Sequence, residues 1–140
     1  MILDASVAAK WCLPDEAAAP ADELLRRYLS RELHLLVPDL FWPEMANLLA
    51  HAVRGGRLRA AAAGAALSRL EQLRLPVMPT AALAPEACME AIRWQLPAYD
   101  LFYLLLARTM NDVLITADER LVRALGHRFP VRGLSAASVG

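Results

Sequence analysis

The chain has few of the residues that mark secreted, zinc-binding or membrane proteins. Among 140 residues there are two cysteines, Cys12 and Cys88, and neither lies in a CxxC or Cys/His pattern. We therefore expect no disulfide and no zinc site, and both cysteines are predicted to be reduced core residues. The longest unbroken apolar run, 101–107, is much shorter than the roughly 20 residues that cross a bilayer as a helix.

An excess of charge of either sign is also missing. The 15 basic and 15 acidic residues give a formal net charge of zero, which excludes the broad positive surface of a bulk nucleic-acid binder. No secretory leader is recognisable at Met1, so the protein is expected to be soluble and cytoplasmic. The length predicts one domain over 1–140. Hydrophobic residues make up 57% of the chain, enough to leave apolar surface for a dimer contact or a partner.

The hydrophobic pattern predicts short strands that alternate with helices. Strands are expected at 2–4, 34–37, 76–79, 113–116 and 129–134, and helices at 6–13, 16–31, 85–95, 98–110 and 117–125. Between them, a helix capped by Asp39 runs to the Gly55-Gly56 turn, and an alanine-rich helix over 58–75 follows it. This alternation is typical of an α/β fold with a mostly parallel sheet covered on both faces.

Two further predictions concern the packing of helices. The helix over 16–31 carries Leu24, Leu25, Tyr28 and Leu29, whose spacing predicts one buried stripe. The helix over 58–75 and the helix before it form a hairpin with many small alanine side chains. Such a hairpin can approach the core, a copy of itself or a partner helix closely.

Four carboxylates at the ends of predicted elements are the main functional signal. Asp4 and Asp118 follow apolar strands, whereas Glu44 and Asp100 fall in the first turns of helices. In a parallel α/β domain these ends lie at one edge of the sheet, so the four side chains can meet. Acids brought together without a cation would repel one another, and Mg²⁺ and Mn²⁺ prefer oxygen ligands. The set therefore predicts a divalent metal site.

Three of the four acids, taken singly, have a structural explanation. Asp4 is as well placed to cap the following helix as to bind a metal. The two acids in first turns lie where the helix dipole favours negative charge. A capping box with Thr116 as the cap and Glu119 as its partner would leave Asp118 without a structural task. The metal hypothesis therefore depends on the four acids as a set.

Four segments of the chain together form a recognisable pattern. They are Ile2-Leu3-Asp4-Ala5-Ser6-Val7-Ala8, Pro43-Glu44-Met45-Ala46-Asn47-Leu48-Leu49, Ala98-Tyr99-Asp100-Leu101-Phe102-Tyr103 and Leu114-Ile115-Thr116-Ala117-Asp118. In order and spacing they resemble the PIN-domain nucleases, and among these the VapC toxins of toxin-antitoxin pairs. The final Thr-x-Asp and the Glu-x-x-Asn pair make the resemblance specific, and it spans nearly the whole chain. It implies a three-layer α/β/α sandwich that acts as a Mg²⁺- or Mn²⁺-dependent endoribonuclease.

The resemblance also implies roles for single residues and the identity of partners. The acidic positions, which the family uses for metal binding and catalysis, are matched by Asp4, Glu44, Asp100 and Asp118. The supporting polar positions are matched by Ser6, Asn47 and Thr116. RNA is the implied substrate, and the usual partner is a small antitoxin whose C-terminal segment occupies the nuclease groove. The usual assembly is built on a toxin homodimer.

The placement of the acids suggests a division of tasks. Asp4 and Asp118 end strands, so we expect them to be direct metal ligands. Glu44 and Asp100 are expected to bind through water or to orient the attacking water. The main alternative is a non-catalytic PIN-like binding module that recruits protein or RNA partners without cleaving anything.

Basic groups are needed to hold the phosphates of RNA on either side of an acidic site. Arg54, Arg57 and Arg59 surround the Gly55-Gly56 turn and form one candidate patch. A second candidate patch follows Asp118 and consists of Arg120, Arg123, Arg128 and Arg132. Both patches are equally well explained as solvated surface.

Overall fold

The computed structural model describes residues 1–137. Within this range the strands are β1, Ile2–Leu3; β2, Val37–Pro38; β3, Val77–Met78; β4, Leu114–Thr116; and β5, Val131–Gly133. The helices are α1, Ala5–Cys12; α2, Ala19–Leu29; α3, Phe41–Arg54; α4, Ala60–Gln72; α5, Ala84–Trp94; α6, Ala98–Thr109; α7, Glu119–Leu125; and α8, Leu134–Ala137. Single 3₁₀ turns cover Pro14–Glu16 and Ala81–Leu83.

The five strands pair in parallel. β1 pairs with β4, β4 pairs with β5, and β2 pairs with β3. A bridge between Ile2 and Leu36 joins β1 to the segment before β2, and the backbone N–H of Leu3 donates to the carbonyl of Leu36 at 2.9 Å. The resulting strand order is β3-β2-β1-β4-β5. The C-terminal ends of β1 and β4 therefore lie side by side.

Neighbouring residues of β1 and β4 pack into different apolar cores. Ile2 and Leu114 pack among α5, α6 and α7, whereas Leu3 and Ile115 pack among α1, α2, α3 and α4. All four side chains are fully buried. Helices cover both faces of the sheet, which explains why these strands read as unbroken apolar runs. The three-layer α/β fold with a mostly parallel sheet is confirmed.

Helix α2 differs from its prediction in length and in its buried face. It begins at Ala19, after a 3₁₀ turn, because Pro20 is tolerated in the first turn of a helix but not in its interior. Leu24 is buried, but Leu29 is 62% exposed, so the predicted stripe is wrong at Leu29. Five residues rotate a helix well past one turn, so Leu29 points away from the face that buries Leu24.

Asp39 does not cap α3. The N-cap position is Leu40, and the helix begins at Phe41. The Asp39 carboxylate instead accepts hydrogen bonds from the Thr80 hydroxyl at 2.5 Å and from the Thr80 backbone N–H at 3.1 Å. This contact ties the end of β2 to the segment after β3, and Glu44 still falls in the first turn of α3.

The outer face of α5 is apolar and exposed. Cys88 lies on it, so the prediction of a core residue is wrong for Cys88, although Cys12 is buried and both thiols are free. Met89 and Ile92 are 65% and 67% exposed. The apolar residues around Cys88 predict a core position. Only one face of α5, with Ala87 at its centre, is needed to cover the sheet, so the other face stays exposed. No helix within residues 1–137 is long and apolar enough to span a bilayer.

Candidate active site

The four predicted acids line one open pocket of about 430 Å³ at the C-terminal edge of the sheet. β1 and β4 end side by side and place Asp4 and Asp118 there. The first turns of α3 and α6 contribute Glu44 and Asp100. The rest of the lining is Ala5, Ser6, Asn47, Leu48, His51, Arg57 and Leu121. Residues far apart in the chain are therefore brought together as the topology predicts.

Asp4 is held by two hydroxyl groups. Ser6 Oγ donates to Asp4 Oδ2 at 2.6 Å, and Thr116 Oγ1 donates to the same oxygen at 2.5 Å. Asp4 occupies the N-cap position of α1, and the backbone N–H groups of Ala5 and Ser6 also stabilise its ionised carboxylate. Burial raises the pKa of Asp4, and the two hydroxyl groups oppose that rise because they stabilise the ionised form.

Asp118, and not Thr116, caps α7. Its Oδ1 accepts from the backbone N–H groups of Arg120 at 2.8 Å and Leu121 at 3.2 Å. The Thr116 hydroxyl accepts from the backbone N–H of Asp118 at 3.0 Å while it donates to Asp4. The predicted capping box is wrong because α7 begins at Glu119, one residue after Asp118. Asp118 thus uses Oδ1 for the cap, and Oδ2 takes no part in it.

Glu44 is paired with a buried tyrosine. The Tyr103 hydroxyl donates to Glu44 Oε2 at 2.5 Å. Burial and, to a smaller extent, the negative charges of Asp4 and Asp100 outweigh the opposing effect of the Tyr103 hydroxyl and raise the pKa of Glu44 to about 7. Asn47 lies almost one turn further along α3 and lines the same pocket, as the Glu-x-x-Asn spacing predicts.

Asp100 has no side-chain hydrogen bond to any residue in the described part of the chain. Burial, with a smaller contribution from the charges of Asp4 and Asp118, raises its pKa to about 6. An ordinary aspartate ionises near 3.8. At neutral pH the site therefore holds several carboxylates that disfavour one another's ionisation.

Arg57 is the member of the first arginine patch that lines the acid pocket. Its guanidinium pairs with Asp15 at 2.8 Å and with Glu16 at 2.5 Å, both in the 3₁₀ turn after α1. Arg54 and Arg59 are exposed and have no ion pair within residues 1–137. In the second patch, Arg120 Nε lies 3.7 Å from Asp118 Oδ1, but this side chain is 87% exposed and the contact is weak.

The donor chemistry of the pocket fits a hard divalent cation. It offers carboxylate oxygens, and the pKa values of Glu44 and Asp100 are raised partly by neighbouring negative charges that a cation would offset. No three His, Cys, Asp or Glu side chains within residues 1–137 are grouped closely enough to form a full ligand set for one ion. The fit therefore rests on charge and donor type, with water left to complete the coordination of any ion.

Tyr103 is the residue of this site that the sequence analysis did not select. It lies inside the apolar run 101–107, which reads as core, and its ring is indeed buried there. The available signal was its spacing, because a residue three positions after Asp100 lies on the same face of α6. A tyrosine at that position places a hydroxyl group at the wall of the acid pocket.

Comparisons with known proteins agree with this geometry. A model of the PIN domain matches residues 1–125. The chain belongs to the PIN-domain family. This PIN domain is 31% identical over 132 residues to Ribonuclease VapC3 of Pyrobaculum aerophilum, and the match covers 93% of the chain and 95% of that relative.

Solved structures show the same fold. PAE2754 from Pyrobaculum aerophilum aligns with a TM-score of 0.74 at 24% identity, covering 99% of this chain and 85% of that protein. A chain of a toxin-antitoxin complex from Klebsiella pneumoniae aligns with a TM-score of 0.61 at 12% identity, covering 95% of this chain and 96% of that one. At these identities the two structures establish a shared fold.

Proposed function

We propose that this PIN-domain protein is a metal-dependent endoribonuclease and the toxin of a toxin-antitoxin pair in the cytoplasm. The observation that carries the proposal is the convergence of four carboxylates from four separate elements on one open pocket. Their only arginine contact within residues 1–137 is the weak, exposed one between Arg120 and Asp118. The similarity to a protein named as a ribonuclease supports RNA as the substrate.

The proposed cofactor is Mg²⁺ or Mn²⁺. Mg²⁺ keeps several waters in proteins and is bound through one or two carboxylates together with substrate phosphate. Asp4 and Asp118, which end neighbouring strands, are the proposed direct ligands. Glu44 and Asp100 complete the site through water. When bound, the ion would lower the pKa of a water molecule and offset the negative charge that develops on phosphorus.

The side chains of this pocket orient the attacking water and accept its proton. Glu44 lines the pocket beside Asp4 and Asp100, where its carboxylate can accept a proton from a nearby water. Asp100 lines the same pocket and can orient that water by hydrogen bonding. Ser6 and Thr116 keep Asp4 in place through its Oδ2. The outcome is hydrolysis of a phosphodiester bond.

The arginines around the Gly55-Gly56 turn are the proposed contacts for the RNA backbone. Arg57 lines the pocket and is oriented by Asp15 and Glu16. Arg54 and Arg59 are exposed on either side of the turn, where they can reach phosphates flanking the cleaved bond. Such contacts set affinity and register rather than sequence preference.

The proposed assembly contains a small antitoxin and a second copy of this chain. The aligned chain of a toxin-antitoxin complex supports the first partner. An apolar groove of about 390 Å³ between α1, α2 and α4, with Trp11, Leu25 and Leu29 in its lining, is the proposed contact for the antitoxin. The exposed apolar face of α5, with Met89 and Ile92, is the proposed dimer contact.

RNA cleavage by the purified protein tests the proposed activity. Wild type, Asp4→Asn and Asp22→Asn are incubated with structured RNA and Mg²⁺, with and without EDTA. Asp22 is an exposed acid on α2 whose side chain makes no hydrogen bond or ion pair within residues 1–137, so it controls for a general effect of removing charge. We expect cleavage by wild type and Asp22→Asn only, and EDTA should abolish it. Cleavage that survives both EDTA and Asp4→Asn would reject the metal-dependent mechanism.

The same experiment separates the nuclease from a binding module. A PIN-like module that only recruits partners would bind RNA or protein and leave the RNA intact under every condition. Mapping the cut ends of total RNA after brief expression then identifies the target, because a nuclease leaves defined ends that a binding module does not produce.

A further inference from the structure

We infer that Tyr103 is a positioning residue that fixes the orientation of Glu44, so that a single defined carboxylate oxygen is offered to the bound cation or its waters. The inference rests on the proposed nuclease function. It assigns a task to a buried side chain that the mechanism above does not otherwise use. Tyr103 itself touches neither substrate nor cation in this scheme and acts through Glu44.

The contact between the two residues has one geometry. The Tyr103 hydroxyl donates to Glu44 Oε2 at 2.5 Å, and no other side chain within residues 1–137 donates to either oxygen of Glu44. Tyr103 is only 2% exposed and packs in the apolar core around α6, so the position of its hydroxyl group is fixed. A glutamate side chain has three rotatable bonds, and this hydrogen bond is what restricts them.

The same pattern occurs at one other acid of the pocket. Asp118 receives its two backbone donors on Oδ1. Glu44 and Asp118 are therefore each held through one oxygen, which leaves the other oxygen for an ion or its waters. Asp4 is held more extensively, by two hydroxyl groups on Oδ2 and by the backbone N–H groups of Ala5 and Ser6. Asp100, with no such donor, is the adjustable member of the set.

Tyr103 also sets the relation between α3 and α6. Asp100 and Tyr103 are three residues apart and share one face of α6, and Glu44 projects from the first turn of α3. The hydrogen bond thus links the helix that carries Glu44 to the helix that carries Asp100. Hydrogen bonds behind metal ligands orient those ligands, and losing them costs metal affinity even when the fold is unchanged.

Binding of Mn²⁺ without RNA tests the inference through Tyr103→Phe. This substitution keeps the buried ring and removes only the hydroxyl group. The measurement is the dissociation constant for Mn²⁺, obtained from the electron paramagnetic resonance signal of the free ion at constant pH. We expect the dissociation constant to rise by about 10- to 100-fold, the range found when partners of metal ligands are removed.

Tyr28→Phe is the matched control. The Tyr28 hydroxyl donates to the backbone carbonyl of Leu73 at 2.9 Å, away from the acid pocket, so this variant also loses one part-buried tyrosine hydrogen bond. Thermal unfolding of both variants measures the general cost of losing the hydroxyl group. Only Tyr103→Phe should weaken Mn²⁺ binding, and raising Mg²⁺ should restore its RNA cleavage with the KM for RNA unchanged.

Three results would overturn the inference. Equal Mn²⁺ affinity in wild type and Tyr103→Phe would mean that the hydroxyl group does not position Glu44, and would leave the nuclease function intact. An equal loss of Mn²⁺ affinity in Tyr103→Phe and Tyr28→Phe would mean that the effect is general loosening. Absence of Mn²⁺ binding by wild type, together with cleavage that resists EDTA, would reject the proposed function and this inference with it.

Discussion

The hydroxyl group of Thr116 donates a hydrogen bond of 2.5 Å to Oδ2 of Asp4, across 112 positions in the sequence. The bond joins the C-terminal end of β4 to that of β1 and passes beneath the acid pocket. The same hydroxyl oxygen accepts from the backbone N–H of Asp118 at 3.0 Å. One buried threonine therefore links the two acids that end neighbouring strands.

Thr116→Val is expected to destabilise the protein and to impair cleavage. The substitution keeps the shape of the side chain but removes a fully buried hydroxyl group that donates to Asp4 and accepts from the backbone N–H of Asp118. A loss of about 2 kcal/mol in the free energy of unfolding is expected. Cleavage should fall by about 10- to 100-fold, because Asp4 loses one of the two hydroxyl groups that orient it. Chemical denaturation and an RNA cleavage assay measure the two effects.

Thr80→Val is the control for that prediction. Thr80 is also buried, and its hydroxyl group also donates to a carboxylate, that of Asp39, at 2.5 Å. Thr80→Val removes one hydrogen bond and Thr116→Val removes two, so Thr80→Val should lose less stability, and it should retain cleavage at temperatures where it is folded. A similar loss of cleavage in both would indicate that Thr116 acts only through stability.

The stability of the metal-free protein should fall as the pH rises from about 5 to 8. The folded state raises the pKa of Glu44 from 4.5 to about 7 and that of Asp100 from 3.8 to about 6. Because the folded state holds these protons more tightly than the unfolded state, the stabilisation is complete below the unfolded pKa values and is lost as the pH passes the folded ones. The measurement is the melting temperature in EDTA across this range. A melting temperature that rises steadily toward pH 8 would contradict the raised values.

Asp100→Asn should stabilise the metal-free protein at pH 8. Asp100 accepts no side-chain hydrogen bond within residues 1–137, so the variant removes repulsion by Asp4 and Asp118 without breaking a contact. After allowance for solvent screening of a partly exposed group, we expect the melting temperature in EDTA to rise by roughly 3 °C. The same variant should lose cleavage. Saturating Mg²⁺ should reduce the difference in melting temperature between Asp100→Asn and wild type. A lower melting temperature for Asp100→Asn than for wild type in EDTA would contradict repulsion between these carboxylates.

Ile92→Glu should convert the proposed homodimer into a monomer. The substitution places a charge on the exposed apolar face of α5, where burial against a second copy would be costly. Multi-angle light scattering measures the mass of each species. An unchanged dimer would place the contact elsewhere, and a monomeric wild type would reject the dimer proposal altogether.

Leu29→Glu should block the antitoxin and leave the dimer intact. Leu29 is 62% exposed and lines the groove between α2 and α4, away from the outer face of α5. Co-purification with a co-expressed candidate antitoxin measures the effect, and Ile92→Glu serves as the reciprocal control. Antitoxin binding lost in Ile92→Glu and kept in Leu29→Glu would reverse the assignment of the two surfaces.

The strand and helix order, and the meeting of the four acids, were predictable from local patterns. Asp4 and Asp118 each follow a short apolar run, and parallel strands end at one edge of their sheet. No long-range information is needed for that step. The sequence pattern does not give the side-chain torsion angles. It therefore does not predict which carboxylate oxygen contacts which hydrogen-bond donor.

The errors of the sequence analysis have related causes. Asp39 and Thr116 are both residue types that commonly cap helices. In the fold, however, Asp39 hydrogen-bonds to Thr80 and Thr116 hydrogen-bonds to Asp4. Cys88 was assigned to the core on hydrophobicity alone, although α5 needs only one face to cover the sheet. Tyr103 was not predicted, because within an apolar run the sequence does not distinguish a tyrosine that only packs its ring from one whose hydroxyl group has a function.

Titration calorimetry of Mg²⁺ into the purified protein tests the central claim most directly. Wild type is compared at constant pH with Asp4→Asn, and with Asp22→Asn as a variant of equal charge. The account predicts a saturable site in wild type and Asp22→Asn that Asp4→Asn abolishes. Absence of a saturable site in wild type, or equal binding by all three proteins, would contradict it.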